Sequence, residues 1–396
     1  MARRLKKPYR MILKTITVIV VFVVLKWLWV TISTMGHGTF EGEKTEILRR
    51  RNYLTNKLLV SPEEVLNEMP GGIGSQFQGE WAMYSCSMLS AALTNISILY
   101  PDEREKSVEQ IDRLINIVMS PEVREYDAAR WDEDPLESWD SEKSHMSYLS
   151  ILAWMISGYK TAGGDDKYDD LYYKLCSTLN WRMKESPTLN LQTYPNEAVY
   201  VPDMLVTLVA LSNFTWQCDD RYLSTVNEWL NKAKKKWTDK ETGILKSFLD
   251  YNGTELPEPI KGSYTALICY YLTFVDKDFA HEQYELLKKH FMQRSPFAGI
   301  QEYYDRKCWL GMDIDSGPII FNLSPSGTAF AIGAATYFGD TDFRNKLLET
   351  GEIAGSTVRG WNTNHYLLAN MALVGEAITL AMRTSVPWHN ETNENK

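Results

Sequence analysis

The sequence predicts an all-α fold, an α/α toroid (barrel) preceded by one transmembrane helix. Three observations lead to this prediction. An apolar run follows a basic N-terminus, helix-period segments fill most of the remaining chain, and short breaks rich in Gly, Pro, Asn or Asp separate those segments. Few alternating β-branched runs compete with this pattern, so we expect little sheet.

The apolar run at 11–33 is long enough to cross a hydrocarbon core of about 30 Å at about 1.5 Å per residue. The basic residues that precede it are Arg3, Arg4, Lys6, Lys7 and Arg10. Few basic residues follow it before Lys44, so the positive-inside rule predicts a cytoplasmic N-terminus and an extracytoplasmic main domain at the inner membrane. Lys14 and Lys26 lie close enough to the ends of the run to snorkel.

A cleaved signal peptide is the alternative interpretation of the same run. No small-x-small site follows the run directly, and the run is longer than the apolar region of a usual signal peptide, which favours a permanent anchor. The predicted organisation is a basic cytoplasmic tail (1–10), the transmembrane helix (11–33), a linker with an N-terminal helical segment (34–75), the toroid domain (76–385) and a disordered tail (386–396).

Composition argues against several classes of function. The net charge is −9, and the basic residues beyond the N-terminal tail cluster only at 232–236, so a nucleic-acid partner is not expected. Five cysteines are scattered with no CxxC pair, so the sequence predicts neither a metal site nor a redox site. We expect no cofactor.

Helix-period segments with apolar residues at i, i+3, i+4 and i+7 continue through the domain. They are predicted at 81–99, 107–119, 145–161, 167–184, 202–211, 220–237, 262–275, 281–293, 328–338, 341–349 and 364–383. Similar breaks such as AGGDDKYDD and FGDTDFRNK join them, as expected for stacked helical hairpins. A closed toroid, with inner helices around a central cavity, is the predicted arrangement, and an open α-solenoid is the alternative.

The acidic loop at 125–148 is the first candidate for a site, because toroid loops line the cavity mouth. Trp131 and Asp134 lie in this loop, and His145 begins a helix that also carries Tyr148. A histidine at a helix N-terminus tends to be neutral and can act as a base or a hydrogen-bond donor. The structural alternative is that His145 only pairs with the neighbouring acidic residues.

The loop at 193–204 groups phenols and carboxylates around two prolines: Tyr194, Glu197, Tyr200 and Asp203. Such a group suits hydroxylated ligands and acid/base chemistry. Helix capping by Asp203 and aromatic packing are the structural alternative.

Further candidates lie in the later loops. Tyr264 begins a helix, Asp313 and Asp315 precede a Gly-Pro turn, and His365 follows the RGWNTN segment. The Asp pair could point into the cavity, or it could form a turn by accepting backbone N–H groups. The segment lacks the pattern of an EF-hand calcium loop.

At these residues the sequence resembles the bacterial linalool dehydratase/isomerase family over most of 81–372. The resemblance is carried by the order and spacing of RWDEDP, SHMSYLSILAWMISGYKTAGGDDKYDDLYYKL, YPNEAVY, WLNKAKKKWTDKETGI, GSYTA and DSGP followed by SGTAFAIGAATYFGD. It implies an α/α six-hairpin barrel that assembles into a homo-oligomeric ring, with the active site near the subunit interface.

The resemblance also implies roles for single residues. The family's active-site histidine corresponds to His145, its barrel tyrosine to Tyr264, and an aromatic residue of its first inner helix falls near Trp81. The two cysteines that the family uses fall at about Thr193 and Pro202, and neither residue is a thiol.

Three functions are compatible with these observations. The first is an extracytoplasmic enzyme of the lyase, hydratase (hydro-lyase) or isomerase type, with cofactor-free acid/base chemistry on a hydroxylated substrate. The second is a carbohydrate-active toroid, which is a glycosidase, a polysaccharide lyase or a uronate epimerase. The third is a non-catalytic module that binds a glycan or a lipid. The expected partners are therefore a small-molecule or glycan substrate and the membrane.

Overall fold

The computed structural model describes residues 7–34, 40–313 and 315–389 of the 396-residue chain. The α-helices in this part of the chain are α1 (Lys7–Thr34), α2 (Phe40–Leu58), α3 (Pro62–Asn67), α4 (Ser75–Leu99), α5 (Arg104–Val118), α6 (Pro121–Trp131), α7 (Met146–Ala162), α8 (Asp169–Glu185), α9 (Val201–Gln217), α10 (Leu223–Lys232), α11 (Gly262–Leu272), α12 (Lys277–Phe291), α13 (Pro325–Tyr337), α14 (Thr341–Gly355) and α15 (Leu373–Arg383). Short 3₁₀ turns lie at Gly71–Ile73, Pro101–Glu103 and Leu367–Asn370, and a π-helical turn at Ala233–Trp237 extends α10.

Six inner helices form a closed ring. Each of α4, α7, α9, α11, α13 and α15 packs against the next, and α15 packs back against α4. The closure of the ring distinguishes the toroid from an open solenoid. The outer layer consists of α2, α5, α8, α10, α12 and α14, so that outer and inner helices pair as six hairpins. The predicted all-α six-hairpin toroid is therefore confirmed.

Sequence determines which helices are inner and which are outer. The inner helix α7 buries most of its residues all round, as its nearly uninterrupted apolar sequence requires. The outer helix α5 buries one stripe, which contains Ile111, Leu114, Ile115 and Val118. Side-chain caps start several helices: Asp276 accepts the backbone N–H of Phe279 at 2.9 Å at the start of α12.

All the strands in the described residues form two-stranded antiparallel sheets. The pairs are β1 (Val199–Tyr200) with β2 (Phe248–Leu249), β3 (Met292–Gln293) with β4 (Gly299–Ile300), β5 (Leu310–Asp313) with β6 (Gly317–Ile320), and β7 (Thr357–Arg359) with β8 (Asn364–Tyr366). Each strand lies between the end of an outer helix and the start of the next inner helix. One end of the toroid, here termed the loop face, therefore carries every strand and the N-termini of the inner helices.

The toroid begins earlier in the chain than predicted. We expected 34–75 to lie outside the domain, but α2 packs against α15 and α4 as the sixth outer helix. Its buried side combines apolar residues, among them Ile47, Leu54 and Leu58, with buried charge, and the sequence did not show that this helical segment packs into the toroid. Arg50 is almost completely buried, and its guanidinium contacts Glu376 at 2.6 Å, Glu46 at 2.8 Å and the Thr357 hydroxyl at 2.7 Å.

Two predicted segments at the C-terminal end also differ. The predicted helix at 364–383 begins only at Leu373, because 364–366 pairs with β7 as strand β8. The disordered tail predicted at 386–396 is ordered at its start, and 390–396 lie outside the described residues. Trp388 is buried, its ring stacks on Trp154 with centroids 6.2 Å apart, and its Nε1 donates to Asn95 Oδ1 at 2.7 Å.

Trp388 thus closes the barrel at the end opposite the loop face. We expect Trp388→Ala to lower the free energy of unfolding by about 3–5 kcal/mol, because it removes a large buried ring and leaves the Asn95 amide without its partner. Urea unfolding of the detergent-solubilised chain measures this. Trp361→Ala is the matched control, since Trp361 is 99% exposed. Equal, small effects of the two variants would contradict the packing of Trp388.

The N-terminal helix α1 is long and apolar enough to cross a membrane over Met11–Thr34, and a signal sequence would have the same properties. It is not isolated from the domain. Its C-terminal part packs against α14, where Trp29 Nε1 donates to Glu352 Oε1 at 3.0 Å and Lys26 Nζ donates to the Glu352 carbonyl at 3.2 Å. A second helix with an apolar span, 77–99 in α4, is mostly buried in the toroid and belongs to its core.

Candidate functional site

The carboxyl group of Asp203 occupies the first turn of inner helix α9, directly after Pro202, at the loop face. Thr193 donates its hydroxyl to Asp203 Oδ2 at 3.1 Å. Burial, together with the negative charges of Glu80, Asp315 and Glu197, raises the pKa of Asp203 to about 7, against the lowering effect of the Thr193 hydrogen bond. The side chain keeps some solvent exposure. Asp203 can therefore hold a proton near neutral pH and present it to a ligand.

Glu80 reaches the same region from the first turns of α4. Its Oε2 contacts Arg130 Nη2 at 3.1 Å, and the Arg130 guanidinium lies 3.5 Å from the centroid of the Tyr194 ring. Burial raises the pKa of Glu80, and Arg130 opposes that rise. The Tyr194 hydroxyl lies 3.1 Å from the Ser147 hydroxyl, so Tyr194 is fixed on both its ring and its polar end.

Lys261 holds the Asp313/Asp315 pair from the residue before α11. Its Nζ lies 3.0 Å from Asp313 Oδ2 and 2.8 Å from Asp315 Oδ2. Although burial opposes it, the Lys261 ammonium lowers the pKa of Asp313. Asp313 Oδ1 also accepts the backbone N–H of Asp315 at 3.0 Å and of Ser316 at 3.3 Å. Asp313 is therefore the turn former of the pair, whereas the side chain of Asp315 contacts the side chains of Lys261 and Tyr264.

Three aromatic rings form one wall beside these carboxylates. Tyr200, Phe248 and Tyr264 have mutual centroid distances of 5.0–6.2 Å. The β1–β2 pairing places Tyr200 opposite Phe248, and Tyr264 lies on the first turn of α11. Tyr200 donates to Glu197 Oε2 at 3.2 Å, and Tyr264 hydrogen-bonds with Asp315. Burial raises the pKa of Tyr264 well above the usual range of a phenol, so Tyr264 stays a neutral donor.

The structure thus gathers most of the predicted residues of the later loops at one place. The negative charges of Glu80, Glu197 and Asp315 raise the pKa of Asp203. Those of Asp203 and Asp315 raise the pKa of Tyr264, so these side chains lie close together. We define the acidic cluster as Glu80, Glu197, Asp203, Asp313 and Asp315 together with Lys261. Tyr194, Tyr200 and Tyr264 surround it. Because the carboxylates come from α4, α9 and the β5–β6 hairpin, the cluster exists only when the ring is closed.

His145 lies outside this cluster, behind the first turn of α7. It is 0% exposed, with Nδ1 2.5 Å from Asp127 Oδ2 and Nε2 3.1 Å from Glu133 Oε1. Trp131 covers the imidazole, with centroids 5.5 Å apart. Both ring nitrogens are occupied by carboxylates of this chain, so neither faces a ligand. The arrangement matches the structural alternative considered for His145, and its catalytic role remains a prediction.

Several other predicted binding residues have partners outside the acidic cluster. Tyr148 is fully buried in the core and donates to the Val118 carbonyl at 3.0 Å. Asp134 pairs with Arg124 at 2.8 Å, and His365 on β8 stacks on Tyr53 with centroids 4.0 Å apart. Trp81 follows Glu80 on α4 and packs, partly buried, against the core.

Sequence reasoning missed three members of the site region: Glu80, Lys261 and Glu302. Glu302 is fully buried and accepts the Ser263 hydroxyl at 2.8 Å, and burial raises its pKa to about 7. Glu80 directly precedes Trp81, and Lys261 lies three residues before Tyr264, both of which the sequence had marked as candidates. Those neighbours were the only signal, because a single charged residue has no pattern of its own.

No protein-family model and no curated protein matches the chain. Among solved structures, the chain is similar to a glycoside hydrolase from family 105 of C. acetobutylicum ATCC 824, with a TM-score of 0.51 and 10% sequence identity. The match covers 75% of this chain and 92% of that chain. At this identity the likeness shows the fold alone, which is an α/α toroid. The comparisons do not single out the linalool dehydratase/isomerase family.

Among the described residues, no group of three or more His, Cys, Asp or Glu side chains is arranged to hold a metal ion. Within the acidic cluster, Lys261 pairs with Asp313 and Asp315, and Arg130 pairs with Glu80. These two cations supply part of the counter-charge that a buried group of carboxylates requires.

Proposed function

We propose that the chain is a membrane-anchored, extracytoplasmic, carbohydrate-active enzyme that hydrolyses glycosidic bonds at the acidic cluster. The observation that carries the proposal is Asp203, a carboxyl group with a pKa of about 7 that stands among other carboxylates beside an aromatic wall. Glycosidases use a pair of carboxyl groups of this kind, one of them kept protonated by its surroundings. A similar fold in a glycoside hydrolase supports this choice among toroid functions.

In the proposed reaction Asp203 donates its proton to the glycosidic oxygen as the bond from that oxygen to the anomeric carbon breaks. A water molecule adds to the anomeric carbon, and its released proton passes to a second carboxylate. We assign that role to Asp315, whose Oδ2 lies 2.8 Å from the Lys261 ammonium. Asp315 then releases its proton to solvent and Asp203 takes one up, which completes the cycle, so the proposed reaction requires neither a cofactor nor a redox step.

The aromatic wall provides the binding surface in this proposal. The ring faces of Tyr200 and Tyr264 suit the apolar face of a sugar ring, while their hydroxyls and the Arg130 guanidinium offer hydrogen bonds to sugar hydroxyls. Tyr264 bonds to Asp315, so a substrate on the wall lies beside the proposed base.

In the lyase or isomerase function, His145 or a carboxylate would move the compensating proton. Since Asp127 and Glu133 occupy both nitrogens of that ring, the geometry favours the carbohydrate-active function. The anchor in this proposal is α1, with its basic N-terminus in the cytoplasm, and assembly into a ring stays a prediction.

A survey of oligosaccharides tests the proposal. The full-length chain in detergent is incubated with neutral and uronic-acid-containing oligosaccharides, and new reducing ends are measured. We expect cleavage of at least one class by the wild type and none by Asp203→Asn. A wild type that binds an oligosaccharide without cleaving it would contradict the enzyme proposal and leave a glycan-binding module.

A further inference from the structure

The contacts between α1 and α14 fix the direction in which the N-terminal helix leaves the domain. Lys26 bonds to the Ser356 hydroxyl, just past the end of α14, and Trp29 bonds to Glu352, one turn earlier. Moving forward along α1 therefore means moving backward along α14, so the two helices run antiparallel. Outer helices such as α14 end at the loop face, so the N-terminal half of α1 projects beyond that face.

Burial along α1 agrees with this direction. Val30 and Ser33 are each only 8% exposed, whereas Phe22 is 67% exposed. Phe22, Lys26 and Trp29 line a hollow of about 480 Å³ with Ile353 and Ser356 at the edge of the domain. The part of α1 that is free of the domain, from Met11 to about Lys26, is roughly 24 Å long at 1.5 Å per residue, most of a hydrocarbon core of about 30 Å. If α1 spans a bilayer, no flexible segment separates that bilayer from the loop face.

The loop face itself carries large exposed apolar side chains. One group belongs to the β5–β6 hairpin and its flanks: Trp309, Leu310, Met312, Ile320 and Phe321. A second group lies on β7 and the segment after β8: Val358, Trp361, Leu367, Leu368 and Met371. Trp361 is 99% exposed, and Leu310 is 81% exposed. Large apolar side chains exposed in groups mark an interaction surface.

The second group adjoins the part of α1, around Lys26 and Trp29, that contacts the end of α14. The Leu367 N–H donates to the Ser356 carbonyl at 3.1 Å, next to Lys26, and the Arg359 guanidinium lies 6.0 Å from the centroid of the Trp29 ring. The apolar surface thus starts where the helix leaves the domain. Tryptophan and basic side chains at this level are the residues that membrane interfaces favour.

We infer that the loop face is a membrane-docking surface, so that the acidic cluster opens toward the bilayer and receives the glycan of a membrane lipid. The occupant of the apolar surface is the bilayer, because α1 enters it from the same face. The choice of a glycolipid as substrate rests on the proposed function, whereas docking of the loop face does not. Free glycans have no such orientation, and a site that faces lipid selects substrates anchored there.

Depth-dependent quenching tests the docking. The full-length chain, with Cys218→Ser and Cys308→Ser to remove the more accessible thiols, carries a single fluorophore on Trp361→Cys, Met312→Cys or Leu223→Cys. It is reconstituted into phosphatidylcholine and phosphatidylglycerol vesicles whose acyl chains are brominated. Leu223 is exposed at the start of α10, on the opposite face, and is the matched control.

We expect bromine to quench the labels at 361 and 312 and to leave the label at 223 unchanged. Equal quenching at all three positions would overturn the docking, as would shielding of the label at 361 by a second copy of the chain without quenching.

The substrate class is tested with one glycan presented either free or attached to a lipid in the same vesicles. We expect the lipid-attached glycan to be cleaved faster than the free glycan. This difference should disappear in the Trp361→Ser/Leu368→Ser/Met371→Ser variant, and that result would support a glycolipid substrate.

Equal rates on the two forms would overturn the glycolipid substrate. If neither glycan is cleaved while quenching persists, the proposed function fails and the docking surface stands. The two failures therefore give different results.

Discussion

Replacing Asp203 by Asn is expected to remove activity and to stabilise the fold. The amide cannot donate the proton that the leaving oxygen needs, so we expect kcat/KM to fall by about 10²–10⁴-fold. KM should change less than kcat, because Asn keeps the shape of the side chain. Asp134→Asn is the matched control, since Asp134 pairs with Arg124 and lies apart from the acidic cluster.

The gain in stability follows from the raised pKa. In the unfolded chain the carboxyl of Asp203 has a pKa of about 3.9, and in the folded chain its pKa is about 7. Between these values the folded state binds more protons, so rising pH costs the wild type stability until the carboxyl is ionised in both states. The Asp203→Asn variant has no ionisable group at this position and therefore does not lose this stability as the pH rises.

Above about pH 7 we therefore expect Asp203→Asn to be more stable than the wild type by about 1–3 kcal/mol, after discounting for its partial exposure. Below about pH 4 the difference should vanish. Urea unfolding across this range measures it without any substrate. A variant that is less stable than the wild type at neutral pH would mean that Asp203 is ionised and serves as a structural anchor.

Replacing His145 by Ala is expected to destabilise the domain strongly and to leave the chemistry of the folded protein intact. The change leaves Asp127 Oδ2, a buried oxygen, without its hydrogen-bond partner, and an unsatisfied buried polar group costs about 1–3 kcal/mol, more when it is charged. Burial already raises the pKa of Asp127 and the hydrogen bond from His145 opposes that rise, so the variant loses a main compensating contact.

Unfolding in urea and the rate constant of the folded fraction separate the two roles of this histidine. His281→Ala is the control, because His281 lies on the exposed side of α12 and its loss should change stability by less than about 0.5 kcal/mol. If His145→Ala unfolds like the wild type but has lost turnover, the family-derived role of His145 is correct and the assignment to Asp203 falls.

These two residues show what the sequence could and could not predict. The toroid was predictable because inner helices are apolar on nearly every side and their breaks repeat. Asp203 and Tyr264 lie on the first turns of α9 and α11, and Asp315 lies in the β5–β6 hairpin ahead of α13, so ring closure brings all three to one face.

The environment of His145 was not predictable in the same way. Its position before a helix is visible in the sequence, but its enclosure depends on how α6 packs Asp127 against it from 18 residues away. The same limit applies to Glu80 and Lys261, whose partners Arg130 and Asp313 are 50 and 52 residues distant along the chain. Tertiary packing selects those partners, and no local periodicity reports it.

The charged side of α2 shows a further limit. Arg50 and Arg51 resemble solvent-facing residues in the sequence, yet both are buried and paired with Glu376 and Glu103. The apolar residues of α2 fit a helix, but the sequence pattern does not reveal the buried ion pairs that join it to the toroid. The start of the toroid was therefore misplaced, although the number of hairpins was not.

The dependence of kcat/KM on pH, measured with whichever oligosaccharide the wild type cleaves, tests the role of Asp203 most directly. Since the carboxyl must be protonated to act, the rate should fall as pH rises through about 7, the pKa that burial and the neighbouring carboxylates give Asp203. Asp203→Glu should keep a falling limb, whereas Asp203→Asn should have no measurable rate to titrate. A rate that instead rises through pH 7 would show that a base, and not protonated Asp203, carries the reaction.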